Sequence, residues 1–233
     1  MKKPGKTVVR LPLKNSERPV LAIETTGALC SISIYANDRK HLTISLNMEK
    51  AHSRKILSLI DSALSIYGIA TCDLAGVCVS EGPGSFTGLR LGFAAAKGIA
   101  FGQEFGIMKV PTFKSLAYEL SSTMKEGSRG LIVTKAALEE SYIFGFEAQG
   151  EDFSEVIPLT LIENELLVKT ISEGCFDRVF GNVIIPGCDV TGKSSPEALW
   201  IAKYAAKKLK FAFDHEIDFI EPYYFKNFTV KVK

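Results

Sequence analysis

Three histidines, one tryptophan and five cysteines in 233 residues leave little material for metal or redox chemistry. His41, His52 and His215 are far apart and no H-E-x-x-H string occurs, which excludes the usual metalloprotease helix. Cys30, Cys72, Cys78, Cys175 and Cys188 are odd in number and form no C-x-x-C pair. That pattern excludes a disulfide framework or a zinc site and fits a reduced, cytoplasmic chain. No apolar stretch approaches the ~18 residues of a spanning helix, so no membrane association is expected. A net charge of +2 argues against a strong general pull toward nucleic acid or lipid. Charge of one sign gathers only in residues 1–18, where Lys2, Lys3, Lys6, Arg10, Lys14 and Arg18 face a single acid, Glu17. This segment is expected to be a basic, disordered extension.

What is present is ordinary globular material, 46% hydrophobic and 23% charged, with ample length for two modest lobes. One stretch stands out: Ser80-Glu81-Gly82-Pro83-Gly84-Ser85-Phe86-Thr87-Gly88-Leu89-Arg90-Leu91-Gly92. An apolar run (74–79) precedes it and a helix-compatible run (91–101) follows, the geometry that presents backbone N–H groups to an anion. The G-x-G-x-x-x-G spacing is one residue too long for a dinucleotide fingerprint, and no G-K-[ST] follows it. Ser85 is a candidate helix N-cap; G-x-S-x-G is not met, so a nucleophile elbow is not indicated. Glu24, Gly82, Gly84 and Ser85 are the weak candidates for an anion site.

Along the chain, residues 20–23 read as a strand buried on both faces. Residues 29–35 and 41–46 continue an antiparallel meander through an Asn37-Asp38 turn. A helix begins near His52 and stops at Gly68; strands follow at 74–79 and 107–110, and a helix at 115–120. From about Met124 the pattern starts again: strands at 130–134, 140–147, 156–161 and 178–181, a weak helix at 163–172, and a last helix from Ser195-Pro196-Glu197. Pro196 is expected in its first turn. The expected architecture is α/β, with two RNase H-like lobes of the actin/Hsp70 (ASKHA) kind. Their bounds are 19–112 and 113–233, the second lobe being shortened.

Gly88, Gly92, Ala96 and Ala100, with Ala95 and Ile99 beside them, make a ladder of small residues along one helix. Such a ladder admits a close neighbour. The neighbour is either the chain's own sheet or a partner. Arg90, near the helix start, has Glu81, Glu24 or a partner as possible targets.

Val20-Leu21-Ala22-Ile23-Glu24-Thr25-Thr26, Ala51-His52-Ser53, the Gly82–Gly92 undecapeptide with Ala96-Lys97-Gly98, and Ile220-Glu221-Pro222-Tyr223-Tyr224 resemble the TsaB (YeaZ-like) family. The resemblance covers about residues 19–225 and is strongest in the first lobe. It implies the two-lobed actin/Hsp70 fold and a role in forming N6-threonylcarbamoyladenosine at position 37 of ANN-reading tRNAs. It further implies a non-catalytic subunit that activates a TsaD-type paralogue in a complex with a TsaE-type ATPase. Such a subunit is a homodimer when alone and meets tRNA only indirectly. The family's contacts run through the helices starting near His52 and Ser85. The implied partner face is His52, Ile56, Ser85, Thr87, Gly88, Arg90, Leu91, Gly92, Ala95, Ala96 and Ile99. Gly92→Leu and Ala96→Leu are then expected to weaken association without unfolding the monomer. TsaD-like relatives carry H-x-x-x-H on the first helix; here Met48 stands at the first ligand position, so no metal site is expected. No cofactor is expected either, with nucleotide binding conceivable only in a complex. Where many members read Asp-Ala-Arg and Glu-Val-Tyr, this chain has Lys135-Ala136-Ala137 and Glu140-Ser141-Tyr142. The alternative is a small ATP-binding kinase or ATPase of the same fold, which needs a metal-binding acid after the first strand. Glu24 holds that position.

Overall fold

The apolar run at 20–23 is unbroken because its strand is covered from both sides. In the computed structural model, which describes residues 18–47 and 52–225, β1 (Val20–Glu24), β2 (Leu29–Asn37) and β3 (Lys40–Asn47) form the antiparallel meander. Helix α1 (His52–Tyr67) crosses to β4 (Gly76–Ser80), and α2 (Phe86–Gln103) crosses to β5 (Ile107–Val110). Strand β1 is central, antiparallel to β2 and parallel to β4. Its Leu21 and Ile23 enter a core with Ile56, Ile60, Phe93 and Ala96 of the two helices. Val20 and Ala22 point the other way, into a core with Ala198, Ile201 and Ala202. Of the basic segment 1–18 only Arg18 is among the described residues; Met48 is not. The Arg18 guanidinium donates to the carbonyls of Cys72 and Asp73.

The second half repeats this plan. After α3 (Thr112–Ser121) come β6 (Arg129–Lys135), β7 (Glu140–Gln149), β8 (Asp152–Glu163), α4 (Leu167–Gly174), β9 (Arg178–Gly181) and β10 (Val190–Thr191). The first sheet runs β3-β2-β1-β4-β5 and the second β8-β7-β6-β9-β10, the same order with the same parallel and antiparallel pairings. Phe144 and Phe146 turn to one face of β7, against Phe113 and Leu116 of α3, while Ile143 turns to the other. The second half is reduced: its fifth strand has two residues, and α4 has eight where α1 has 16.

The last helix, α5 (Ala198–Tyr204), lies across β1 and β2 of the first sheet and meets α3, which covers the second. The two halves thus join through α3 and α5. Pro196 stands before Glu197, the N-cap, rather than in the first turn as expected. Helix α3 starts at Thr112, three residues earlier than its apolar pattern indicates, because Pro111 ends β5 and is itself the N-cap. The tail then crosses between the halves. Ile220 enters the first core, Tyr223 N–H donates to the Glu81 carbonyl at 2.7 Å, and the Phe225 ring lies 5.5 Å from that of Tyr142 on β7.

Candidate functional site: the glycine loop and the two faces of its helix

The turn Glu24-Thr25-Thr26 lies beneath the glycine loop, and the two are joined by hydrogen bonds. Ser85 N–H donates to the Thr26 carbonyl at 2.7 Å, and the Thr25 hydroxyl donates to the Gly88 carbonyl at 2.8 Å. Ser85 Oγ accepts from Gly88 N–H at 3.2 Å, the expected cap. Glycine at 88 is required by this approach: a Cβ there would lie 1.9 Å from the Thr25 carbonyl oxygen. At Gly92 it would lie 2.5 Å from Thr25 Oγ1, and at Gly84 2.6 Å from Thr26 Cβ.

Of the four anion-site candidates, Glu24 and Gly82 are buried, whereas Gly84 and Ser85 are exposed. Gly82 N–H donates to Thr112 Oγ1 at 2.9 Å, Gly84 is pressed on Thr26, and the Ser85 hydroxyl caps α2. Glu24 is fully buried; it accepts from the Thr26 N–H and hydroxyl and from the Ser80 hydroxyl. Burial pushes its carboxyl up to about 7, although the Ser80 and Thr26 hydrogen bonds pull the other way. The charge of Glu119 adds a smaller upward push. Glu24 is thus turned inward, toward Ser80 at the end of β4. Gly181, the last residue of β9, is glycine because a Cβ would lie 1.7 Å from the Val133 carbonyl oxygen. Asn182 Oδ1 accepts from Lys135 N–H at 2.9 Å. Among the described residues no three His, Cys, Asp or Glu side chains are grouped to hold a metal, and no helix is long and apolar enough to cross a membrane.

Gly187-Cys188-Asp189-Val190-Thr191-Gly192-Lys193-Ser194, not singled out above, matches the P-loop spacing G-x-x-x-x-G-K-[ST]. Its surroundings differ from a phosphate cradle: residues 190–191 are strand β10, and Lys193 Nζ lies 2.8 Å from Glu119 Oε1. Helix α5 begins four residues beyond Ser194. The string closes the junction between the halves, with Ser195 packed on Gly27 and Ala198 N–H donating to Ser31 Oγ at 3.0 Å.

The small-residue ladder corrects the expected partner face. Gly88, Gly92, Ala96 and Ala100 face the chain's own sheet, and Ala95 and Ile56 are buried in the same core. These residues are not a docking surface, because β1 and β4 already occupy the space beside them. Ser85, Thr87 and Arg90 are exposed, and Leu91 and Ile99 half-buried. His52 opens α1, but its side chain lies outside the described residues. Arg90 pairs with neither Glu81 nor Glu24; its guanidinium lies 4.0 Å over the Phe86 ring, which also lies 5.4 Å from the ring of Tyr224.

The outward face of α2 runs Thr87, Arg90, Ala94, Gly98 and Phe101. Phe101 is 76% exposed, and on α1 Leu57 is 61% exposed. Gly98 has nothing within 4 Å of where its Cβ would be. Ala94, Phe101 and Leu57 were missing from the expected face. Their signal was phase: once 88, 92, 96 and 100 face inward, 87, 90, 94, 98 and 101 lie opposite.

The family model described as tRNA N6-adenosine threonylcarbamoyltransferase (TsaD) matches residues 46–172, more than half of the chain. The tRNA threonylcarbamoyladenosine biosynthesis protein TsaB of Escherichia coli is 33% identical over 101 residues, and that of Haemophilus influenzae 30% over 99. The chain belongs to the TsaD/TsaB (YeaZ-like) family. Each alignment covers 42% of this chain and 42% or 41% of the relative, so the chain spans less than half the length of these relatives in the match. A Pseudomonas aeruginosa structure described as similar to peptidase YeaZ superposes with a TM-score of 0.73 at 18% identity. It covers 89% of this chain and 99% of that one, and establishes that both halves share the YeaZ-like fold. The family membership accounts for the paired sheets and for the Gly82–Gly92 loop that launches α2.

Proposed function

We propose that this chain is an accessory, non-catalytic subunit of tRNA threonylcarbamoyladenosine biosynthesis that binds and activates a TsaD-type paralogue through the outward faces of α1 and α2. The observation that carries this reading is Gly98. A glycine inside an exposed helix costs about 1 kcal/mol relative to alanine, and no neighbour among the described residues requires it. A partner backbone approaching closely supplies the missing reason, and the exposed Phe101 and Leu57 supply apolar area beside it. The internal engagement of Glu24, Gly82 and Ser85 favours this reading over a kinase or ATPase of the same fold.

In this reading the chain positions the catalytic paralogue for transfer to adenosine 37 of ANN-reading tRNAs. A TsaE-type ATPase joins the assembly, tRNA touches this chain only indirectly, and the free chain is a cytoplasmic homodimer. No cofactor is assigned to it. The test is reconstitution with the TsaD-type and TsaE-type proteins of the same source. Threonylcarbamoylation that requires this chain supports the reading; an equal rate without it, or Mg-ATP turnover by the isolated chain, overturns it.

A further inference from the structure

Two hairpin turns, one from each sheet, converge on the lysine-rich end of the last helix. From the first sheet comes Asp38, in the β2–β3 turn; from the second come Glu151, in the β7–β8 turn, and Asp152, the first residue of β8. Residues Ala205–Leu209 continue α5 as a π-helical turn, which Lys210 ends in the left-handed conformation. The wider turn brings Lys203, Lys207 and Lys208 to neighbouring positions; such insertions recur at functional places in helices. Lys203 Nζ lies 3.4 Å from Asp38 Oδ1. Lys207 Nζ lies 3.8 Å from Asp38 Oδ2 and 3.0 Å from Glu151 Oε2. Lys208 pairs with Asp152.

One ammonium, that of Lys207, thus bridges carboxylates carried by different sheets. Lys203 and Lys208 flank it, one to each side of the junction. We infer that this lysine triad is a clamp that fixes the angle between the two halves, so that they move as one body rather than hinging about α3 and α5. An isolated exposed ion pair contributes little, about 0.2–1 kcal/mol. Here the pairs have backing. The Tyr35 hydroxyl donates to Asp38 Oδ1 at 3.1 Å, and Tyr118 of α3 packs edge-on against Trp200 and Tyr204 of α5, with ring centroids 5.8 and 5.9 Å apart. Lys203 Nζ lies 4.8 Å over the Trp200 ring. Burial raises the Asp38 carboxyl, but Tyr35, Lys203 and Lys207 outweigh it and hold the group below its ordinary range. The hydrogen bond to Glu151 raises the Lys207 ammonium. Lobe rotation separates the two turns, and an added ~1 Å takes Lys207 past the ~4 Å reach of an ion pair on one side. The clamp is independent of what docks on α1 and α2.

The test is a distance distribution across the halves. Spin labels are placed at Ser62→Cys on α1 and Ser172→Cys on α4, both exposed, after Cys72, Cys175 and Cys188 are changed to serine. The labelled full chain is diluted into unlabelled chain so that only distances within one molecule are read by pulsed electron resonance. At low salt a single narrow distribution is expected. Lys207→Met, which keeps the apolar stem, should widen it about twofold, and so should Glu151→Gln at a side chain 84% exposed. Molar sodium chloride should widen the parent and leave Lys207→Met unchanged. Equal widths in all five measurements overturn the clamp, as does widening in Lys207→Met alone, which assigns the effect to the helix. Circular dichroism checks the fold. Should Lys207→Met not fold, Glu151→Gln and the salt series carry the test.

Discussion

The two faces of α2 carry similar residues and do different work. On the inner face Gly88 and Gly92 are glycine because Thr25 leaves no room for a Cβ. On the outer face nothing among the described residues lies within 4 Å of where a Gly98 Cβ would be. The same residue type is a packing requirement on one side and, in the proposed role, an accommodation for a partner on the other. A glycine is therefore interpretable only with its neighbourhood.

Substitution at Gly88 should separate the faces most sharply. Gly88→Val places a Cβ against a backbone carbonyl that cannot rotate away, and the loss of stability should exceed about 4 kcal/mol by urea denaturation. Gly92→Leu, expected from the sequence to spare the monomer, should also destabilise strongly, since Thr25, Val79 and Ile23 close that site.

The turn beneath the inner face gives the next largest effect. The Glu24 carboxyl titrates near 7 in the folded chain and near 4.5 unfolded, so between these values the folded state holds more protons. Stability from this group is present below about pH 4.5 and is lost as pH rises through 7. Glu24→Gln removes the ionisation. It should raise stability at pH 8 by about 2 kcal/mol, the full linkage less the cost of a second amide proton, and flatten the pH profile between 4.5 and 7. A midpoint that is lower at pH 8, or an unchanged profile, contradicts the sealed environment of Glu24.

On the outer face the sign reverses for glycine. Gly98→Ala should stabilise the chain by about 0.5–1 kcal/mol through helix propensity, whereas alanine at Gly88 should destabilise it. Thermal denaturation of the pair reads the contrast. Destabilisation at both positions erases the distinction between the faces.

The first half was legible because its signals agree. Strand β1 is continuously apolar, since both its faces are covered, and α1 has a regular apolar stripe ended by Gly68. The repeat in the second half was legible from β7, where Phe144 and Phe146 alternate with Ile143. What failed has physical reasons. Strand β10 is two residues long and carries no period. The start of α3 and the cap of α5 depend on Pro111 and Glu197, whose roles follow from chain direction rather than composition. Glycine and alanine do not announce which way they face, so the ladder 88-92-96-100 read equally well as core or interface. Phe101 and Leu57, being apolar, were indistinguishable from core until their exposure was seen.

The central claim is that the outward face of α2 docks a TsaD-type partner. Titration of that protein into Gly98→Leu, followed by calorimetry, tests it most directly, because the first side-chain carbon there meets none of the described residues within 4 Å. The Gly98→Leu monomer is expected to be at least as stable as the parent, with binding weakened by about tenfold or more. Parent-like affinity in a folded Gly98→Leu chain would contradict it.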